Sequence, residues 1–156
     1  MIDLQIPGRG LIQLHYAVFD VNGTLALDGI LIEGVEARLA QLRGKLEVRL
    51  ITADTHGRQA EIDRQLKFSA DRLLPGNERQ QKANYVWRLG AFNTVAIGNG
   101  ANDVEMLKAA AIGIAVIGRE GASSKAVAVA DVVTLHINDA IDLLLNPKRL
   151  VATLRQ

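Results

Sequence analysis

An acidic residue stands at the end of the first strongly apolar segment of the chain. Asp20 closes that segment and is followed at once by Val21, Asn22, Gly23 and Thr24. A carboxylate that leaves a buried strand into a glycine turn can act as a nucleophile, and its oxygens are ligands that Mg²⁺ prefers. Taken alone, however, Asp20 is better interpreted as a turn or cap residue.

Polar residues follow other apolar segments in the same way. Thr52 ends a second segment, residues 98–103 (GNGAND) follow another, and Lys82 lies in a helical stretch between them. The carboxyl ends of parallel strands meet at one edge of a sheet, where open α/β folds bind ligands. Capping does not explain why groups from three segments converge on one edge. The pattern therefore predicts a functional site there.

The elements that must position these residues are short apolar segments that alternate with amphipathic ones. This alternation predicts an α/β fold, with a central, mostly parallel sheet flanked by helices on both faces. The predicted strands are 14–20, 47–52, 71–74, 94–98, 113–117 and 132–135. The predicted helices are 34–43, 56–68, 78–89, 103–110, 123–130 and 139–145, followed by a short helix that starts at Pro147. Residues 2–12 contain a Pro-Gly-Arg-Gly turn and predict a hairpin at the edge of the sheet.

Composition narrows the class of protein. With 156 residues, of which 49% are hydrophobic, we expect one domain over 1–156, with a hairpin extension at 1–13 and a terminal helix at 147–156. The formal net charge of +1 disfavours nucleic acid as a partner. The absence of cysteine excludes disulfides and thiolate metal sites. No export signal or membrane segment is visible, so we expect a soluble, cytoplasmic protein without a membrane partner.

The order and spacing of these motifs resemble the haloacid dehalogenase superfamily of phosphotransferases. Residues 20–25 match its first motif, Thr52 its second, and Lys82 with residues 98–103 the rest. The resemblance covers essentially the whole chain and implies the Rossmann-like fold of that superfamily. Residues 52–54 (TAD) and 98–103 are most similar to the phosphorylation domain of P-type ATPases. The chain thus resembles the soluble P-type ATPase-like hydrolases that lack a membrane part.

The resemblance implies a hydrolase that works through an aspartyl phosphate. Asp20 would attack phosphorus and carry the phosphoryl group, Thr52 would donate a hydrogen bond to it, and Lys82 would neutralise its charge. The alternative for Lys82 is a solvated helix charge. Mg²⁺ is the expected cofactor. The resemblance implies catalytic roles for Asp20, Asn22, Thr52 and Lys82, and metal ligation by Asp20, Asn22, Asn99 and Asp103. The residues expected to bind the cofactor are Gly23, Thr24, Asn99 and Asn102.

Two departures from the family pattern affect the chemistry. Asn22 stands where most phosphatases of this superfamily have an acid–base aspartate, and an amide transfers no proton at neutral pH. Asn99 replaces an aspartate beside the metal, a loss for which Asp54 or a water could compensate. We expect slow hydrolysis of the aspartyl phosphate or a preference for good leaving groups. The alternative is a catalytically weak or inactive phospho-acceptor or interaction module.

The spacing between motifs bears on the substrate. Residues 26–51 and 53–81 leave no room for a cap domain or an ATP-binding insert. We therefore expect a capless enzyme whose open site admits a small phosphorylated metabolite or a phosphoprotein, or is covered by a second subunit of a homo-oligomer. The lack of membrane helices excludes ion transport.

The histidines and the larger aromatic residues are given structural roles. His15 and His136 have no partner at ligand spacing, and His56 is expected to be a cap or a solvent-exposed residue, although it could contact substrate. Trp87 and Phe92 are expected to pack in the core or at an interface. Aromatic residues make up only 4% of the chain and do not interleave with basic ones, which argues against base stacking.

Overall fold

Ten strands are present in the computed structural model, which describes residues 1–156. In chain order they are β1 (Ile2–Ile6), β2 (Gly10–Leu14), β3 (Tyr16–Asp20), β4 (Ala26–Leu27), β5 (Ile30–Leu31), β6 (Glu47–Thr52), β7 (Asp71–Arg72), β8 (Thr94–Gly98), β9 (Ile112–Val116) and β10 (Val132–Thr134). Seven helices connect or follow them: α1 (Val35–Leu42), α2 (Gln59–Leu66), α3 (Glu78–Leu89), α4 (Val104–Ala109), α5 (Ser124–Val129), α6 (Ile137–Leu145) and α7 (Pro147–Leu154).

Six of the strands form one sheet, and every neighbouring pair in it is parallel. The strand order is β10-β9-β8-β3-β6-β7, which places β3 near the centre. Its side chains alternate between the two faces of the sheet, as the pleat requires. Phe19 joins the larger apolar cluster with α1, α2, α6 and α7, whereas Val18 joins the smaller one with α3, α4 and α5. The predicted α/β architecture is confirmed.

The N-terminal hairpin differs from its prediction in where it lies. β1 and β2 pair antiparallel from Ile2–Leu14 to Ile6–Gly10, but they form a separate two-stranded sheet. Ile2, Leu4 and Ile6 are buried in the larger apolar cluster, and α7 packs against β1. The hairpin therefore covers one end of the core and does not extend the central sheet. The prediction that the hairpin lies at the edge of the central sheet is wrong, because its apolar face packs against α7 and the core.

Some other elements differ from their predicted bounds because of local turns. α2 starts three residues after its predicted beginning, since Gly57 has φ +65° and the Asp54 carboxylate accepts the backbone N–H of Gln59. A small antiparallel pair, β4 with β5, follows the turn after Asp20 and was missing from the sequence prediction. Its strands have two residues each, too short to show an alternating pattern. None of the helices is long and apolar enough to cross a lipid bilayer.

Candidate active site

Asp20 lies at the carboxyl end of β3, between the ends of β6 and β8. It pairs in register with Ile51, and Phe19 pairs with Ile97. The apolar residues before it are fully buried, because β3 is covered by helices on both faces. The Asp20 side chain is itself only 7% exposed. The fold thus presents one carboxylate at the centre of the edge where parallel sheets bind ligands.

Lys82 comes from the second turn of α3 and extends beneath the same edge. Its ammonium donates to Asp20 Oδ1 at 2.6 Å and to Asp103 Oδ1 at 2.7 Å. The residue is 1% exposed, whereas Arg79 and Arg88 on the same helix are exposed. The interpretation of Lys82 as a solvated helix charge therefore does not hold. Lys82 is a buried cation shared by two carboxylates.

The charges of this cluster do not balance. The pKa of Asp20 is raised from 3.8 to about 7, because burial and, to a lesser extent, the charge of Asp103 raise it more than Lys82 and the Thr24 hydrogen bond lower it. Burial alone would lower the pKa of Lys82, but the charges of Asp20 and Asp103 outweigh burial and raise that pKa. One ammonium cannot neutralise two buried carboxylates. The cluster therefore favours an additional positive charge.

The turn after β3 is held by its own backbone and by side chains from other strands. Gly23 has φ +78°, and its N–H donates to the carbonyl of Ala26 at 2.8 Å. The Thr24 hydroxyl lies 3.3 Å from Asp20 Oδ2 and 3.2 Å from Asn99 Oδ1, so one O–H is shared between two acceptors. These bonds fix the orientation of the Asp20 carboxylate.

Thr52 ends β6 beside this turn and is fully buried. Its hydroxyl oxygen accepts a hydrogen bond from Asn22 Nδ2 at 3.2 Å and one from the backbone N–H of Asp54 at 2.9 Å. Its hydroxyl hydrogen has no acceptor within the chain. Asp54 uses its carboxylate to cap α2 through Gln59. The expectation that Asp54 compensates for Asn99 finds no support in this geometry.

The loop after β8 is built around Asp103. Asp103 Oδ2 accepts the backbone N–H groups of Asn99 and Gly100, both at 2.9 Å, while Oδ1 takes Lys82. A Cβ at Gly98 would lie 2.5 Å from Asp103 Cγ, so only glycine fits there. Asp103 is completely buried with both oxygens engaged. We expected it to bind the metal directly, but the structure places it under the site, where it holds the loop and Lys82.

A cavity of about 190 Å³ opens above these groups. Of the expected site residues, the cavity is lined by Asp20, Asn22, Lys82, Asn99 and Asn102, while Gly23, Thr24, Thr52 and Asp103 lie around or under it. No group of three or more His, Asp or Glu side chains is placed to hold a metal ion. A cation bound here would therefore also need amide, main-chain or water oxygens, as Mg²⁺ commonly does.

Three cavity-lining residues with titratable side chains were missed or left undecided by sequence reasoning. Glu78 lies one helical turn before Lys82 and accepts a hydrogen bond from Asn102 Nδ2 at 3.0 Å, a helical spacing that could have revealed it. Glu120 reaches the cavity from the loop after β9, and no sequence signal pointed to it. His56 also lines the cavity, exposed as expected and in reach of a ligand.

The other singled-out residues lie outside this cavity. His15 and His136 are exposed and remain without a role in the site. Trp87 and Phe92 are 56% and 81% exposed and stack edge to face at 6.4 Å, so neither packs in the core. The alternative, that they pack at an interface, stays a prediction.

Comparisons with known proteins agree with this geometry. Residues 81–141, which include Lys82 and the loop around Asp103, match the family model of the haloacid dehalogenase-like hydrolases. The chain is 48% identical over 92 residues to the uncharacterized protein MJ0073 of Methanocaldococcus jannaschii. That match covers 56% of this chain and 99% of the relative.

Solved structures show the same fold at low sequence identity. The 3-deoxy-D-manno-octulosonate 8-phosphate phosphatase of Moraxella catarrhalis, in complex with magnesium, phosphate and KDO, superposes with a TM-score of 0.65 at 19% identity over 91% of this chain and 94% of that one. A zinc-transporting PIB-type ATPase superposes with a TM-score of 0.63 at 24% identity, over 78% of this chain and 20% of the transporter. Neither cap domain nor ATP-binding insert interrupts the present chain between its motifs. It belongs to the haloacid dehalogenase superfamily and has the Rossmann-like hydrolase fold of that superfamily without a cap.

Proposed function

We propose that the chain is a Mg²⁺-dependent phosphohydrolase or phosphotransferase that forms an aspartyl phosphate on Asp20. The observation that carries the proposal is the position of the Asp20 carboxylate, which lines an open cavity and is held at 2.6 Å by the buried Lys82 ammonium. An oriented carboxylate beside a fixed cation is suited to nucleophilic attack on a phosphoryl group. Family membership agrees with this chemistry.

The residues present fit a magnesium ion. Asp20 offers carboxylate oxygens, Asn99 offers an amide oxygen, and the main-chain carbonyl of Asn22 accepts no hydrogen bond within the chain. The surplus negative charge of Asp20 and Asp103 over Lys82 favours a cation, which would return the pKa of Asp20 toward its ordinary value. When bound, the ion supplies charge neutralisation for the phosphate oxygens.

Each polar side chain then has a task on the bound phosphoryl group. Asp20 attacks phosphorus and the bond to the leaving group breaks in line, so that the phosphoryl group moves onto the carboxylate oxygen. Thr52 donates its free hydroxyl hydrogen to a phosphoryl oxygen, and Lys82 screens the charge shared by Asp20 and the phosphoryl group. Asp103 orients Lys82 and the backbone of the loop at Asn99.

Asn22 determines which step is slow. Its amide donates to Thr52 Oγ1 and holds no transferable proton, so it can neither protonate a leaving group nor activate water. Positioned acid–base catalysis contributes roughly 10² to 10⁴ in rate. We therefore propose substrates with good leaving groups, such as acyl phosphates, and slow hydrolysis of the aspartyl phosphate.

The shape of the site supports a small phosphorylated substrate. The cavity of about 190 Å³ suits a phosphoryl group, and the rest of the substrate would extend into the open space where other enzymes carry a cap. The phosphatase of Moraxella catarrhalis, which has the same fold, binds magnesium, phosphate and a sugar acid in its structure. A phosphoprotein would also reach such an open site.

The test is release of inorganic phosphate from acetyl phosphate and p-nitrophenyl phosphate with Mg²⁺. We expect multiple turnovers by the wild-type chain, loss of at least a thousandfold in Asp20→Asn, and retained activity in Asp54→Asn. Asp54→Asn is a matched control, since its side chain caps α2 and asparagine also caps helices. Equal phosphate release by wild type and Asp20→Asn would refute the proposal.

A second candidate function follows from Asn22. Without an acid–base carboxylate at this position, the chain could act as a phospho-acceptor or interaction module that binds Mg²⁺ and phosphate without turnover. The same assay separates the two functions, because a module releases at most one phosphate per chain. Sustained release would eliminate the module.

A further inference from the structure

The carboxylate of Glu120 lies over the turn that follows Asp20. A Cβ added to Gly23 would lie 2.6 Å from Glu120 Oε2 and 2.8 Å from Asn99 Nδ2, so both side chains contact the same side of Gly23. Glu120 also lines the cavity that contains Asp20 and Asn22. Its carboxylate thus stands beside Asn99, the position where the metal site lacks a charged ligand.

Glu120 differs from the other acidic groups of the site in having no partner. Lys82 binds Asp20 and Asp103, and Asn102 binds Glu78. Glu120 forms neither a hydrogen bond nor an ion pair with any residue of the chain, and it is exposed. It is therefore the one cavity-lining carboxylate whose oxygens are free for a ligand.

The loop that carries Glu120 is held on both sides, and on one of them by the site itself. Asn99 Nδ2 donates to the carbonyl of Gly121 at 3.0 Å, and the carbonyl of Asn99 accepts the N–H of Ser123 at 2.8 Å. On the other side, the N–H of Gly118 donates to the carbonyl of Leu135 at 3.0 Å. Only a few bonds within Glu120 need to rotate for its carboxylate to move within the cavity.

We propose that Glu120 supplies the second carboxylate of the magnesium site, in place of the aspartate that Asn99 replaces. The inference rests on the proposed function, since it names a ligand of that same site. The inference holds whether Glu120 contacts the ion directly or through a water molecule, because Mg²⁺ keeps several waters in protein sites. Asn99 then serves a different purpose, which is to anchor the Glu120 loop through Gly121.

The experiment measures binding of Mn²⁺ alone by electron paramagnetic resonance, with Mg²⁺ competing for the same site. Glu120→Gln removes the charge from an exposed side chain without partners, so the variant should fold normally. We expect its dissociation constant for Mn²⁺ to rise at least tenfold. Glu78→Gln is the matched control, with the same change of charge at the same cavity, and its dissociation constant should rise less than threefold.

Each outcome separates the inference from the function on which it rests. Unchanged binding by Glu120→Gln, or equal weakening in both variants, overturns the role of Glu120 while the wild-type site remains. Unchanged binding together with a slower reaction on alkyl phosphates also overturns it, because Glu120 would then act on the substrate. If the wild-type chain itself binds no Mn²⁺, the proposed metal dependence fails, and the inference fails with it.

Discussion

Replacement of Asp20 by asparagine should change how the stability of the metal-free protein depends on pH. The pKa of Asp20 rises from 3.8 to about 7 in the folded chain, chiefly because the group is buried and lies beside Asp103. Between these two values the folded protein holds a proton that the unfolded chain has released. Stability therefore falls as pH increases from about 4 to about 7, and this group contributes no slope outside that window.

The size of the effect follows from the shift. About three pK units correspond to about 4 kcal/mol, with a slope of at most about 1.4 kcal/mol per pH unit for one proton. Asparagine has no proton to release, so Asp20→Asn should lack this contribution. The wild-type free energy of unfolding, relative to the variant, should fall by about 4 kcal/mol between pH 4 and pH 8.

Urea denaturation in the presence of EDTA, repeated across that pH range, measures the difference directly. Asp139→Asn, which changes an exposed carboxylate of α6, should follow the wild type. Added Mg²⁺ should flatten the wild-type slope, because a bound cation stabilises the charged form of Asp20. A wild-type minus Asp20→Asn difference that stays constant within about 1 kcal/mol across the range would refute the assignment of Asp20 as a buried, proton-retaining carboxylate.

Three further substitutions test separate parts of the site. Lys82→Met leaves two buried carboxylates without their cation and should destabilise the protein by about 3–5 kcal/mol at pH 8 in urea denaturation. Arg79→Met breaks an exposed ion pair with Glu105 and should cost far less stability. Equal losses in the two variants would contradict the buried network. Gly23→Ala and Gly10→Ala both strain a positive φ by about 1–2 kcal/mol, but only Gly23→Ala meets Glu120 and Asn99, so only it should lower kcat/KM. Asn22→Asp should speed turnover of alkyl phosphates at least tenfold, consistent with the roughly 10² to 10⁴ of acid–base catalysis, and acyl phosphates less; an equal effect on both would show that the missing acid is not limiting.

The sequence was informative wherever function depended on a local pattern. Apolar segments that alternate with amphipathic ones predicted parallel strands joined by helices, and this placed Asp20 and Thr52 at one edge of the sheet. It was less informative where a short element had no periodicity. β4 and β5 were missed for that reason, and the N-terminal hairpin was placed at the sheet edge when it instead covers one end of the core.

The arrangement around Asp20 shows what only packing could decide. Sequence alone could not distinguish a solvated Lys82 from a buried one, because the side chain is long and its neighbours on α3 are also basic. Only the position of α3 against the sheet brings the Lys82 ammonium to Asp20 and Asp103. The sequence predicted that Asp103 binds the metal, whereas in the structure its carboxylate accepts hydrogen bonds from the backbone N–H groups of Asn99 and Gly100. Glu120 belongs to the loop after β9. Its contact with Gly23 depends on how the ends of β9, β8 and β3 lie relative to one another in the sheet. The sequence thus determined which chemical groups reach the edge of the sheet, and the tertiary structure decided which of them are free to act, because hydrogen-bond partners and burial depend on contacts between segments distant in the chain.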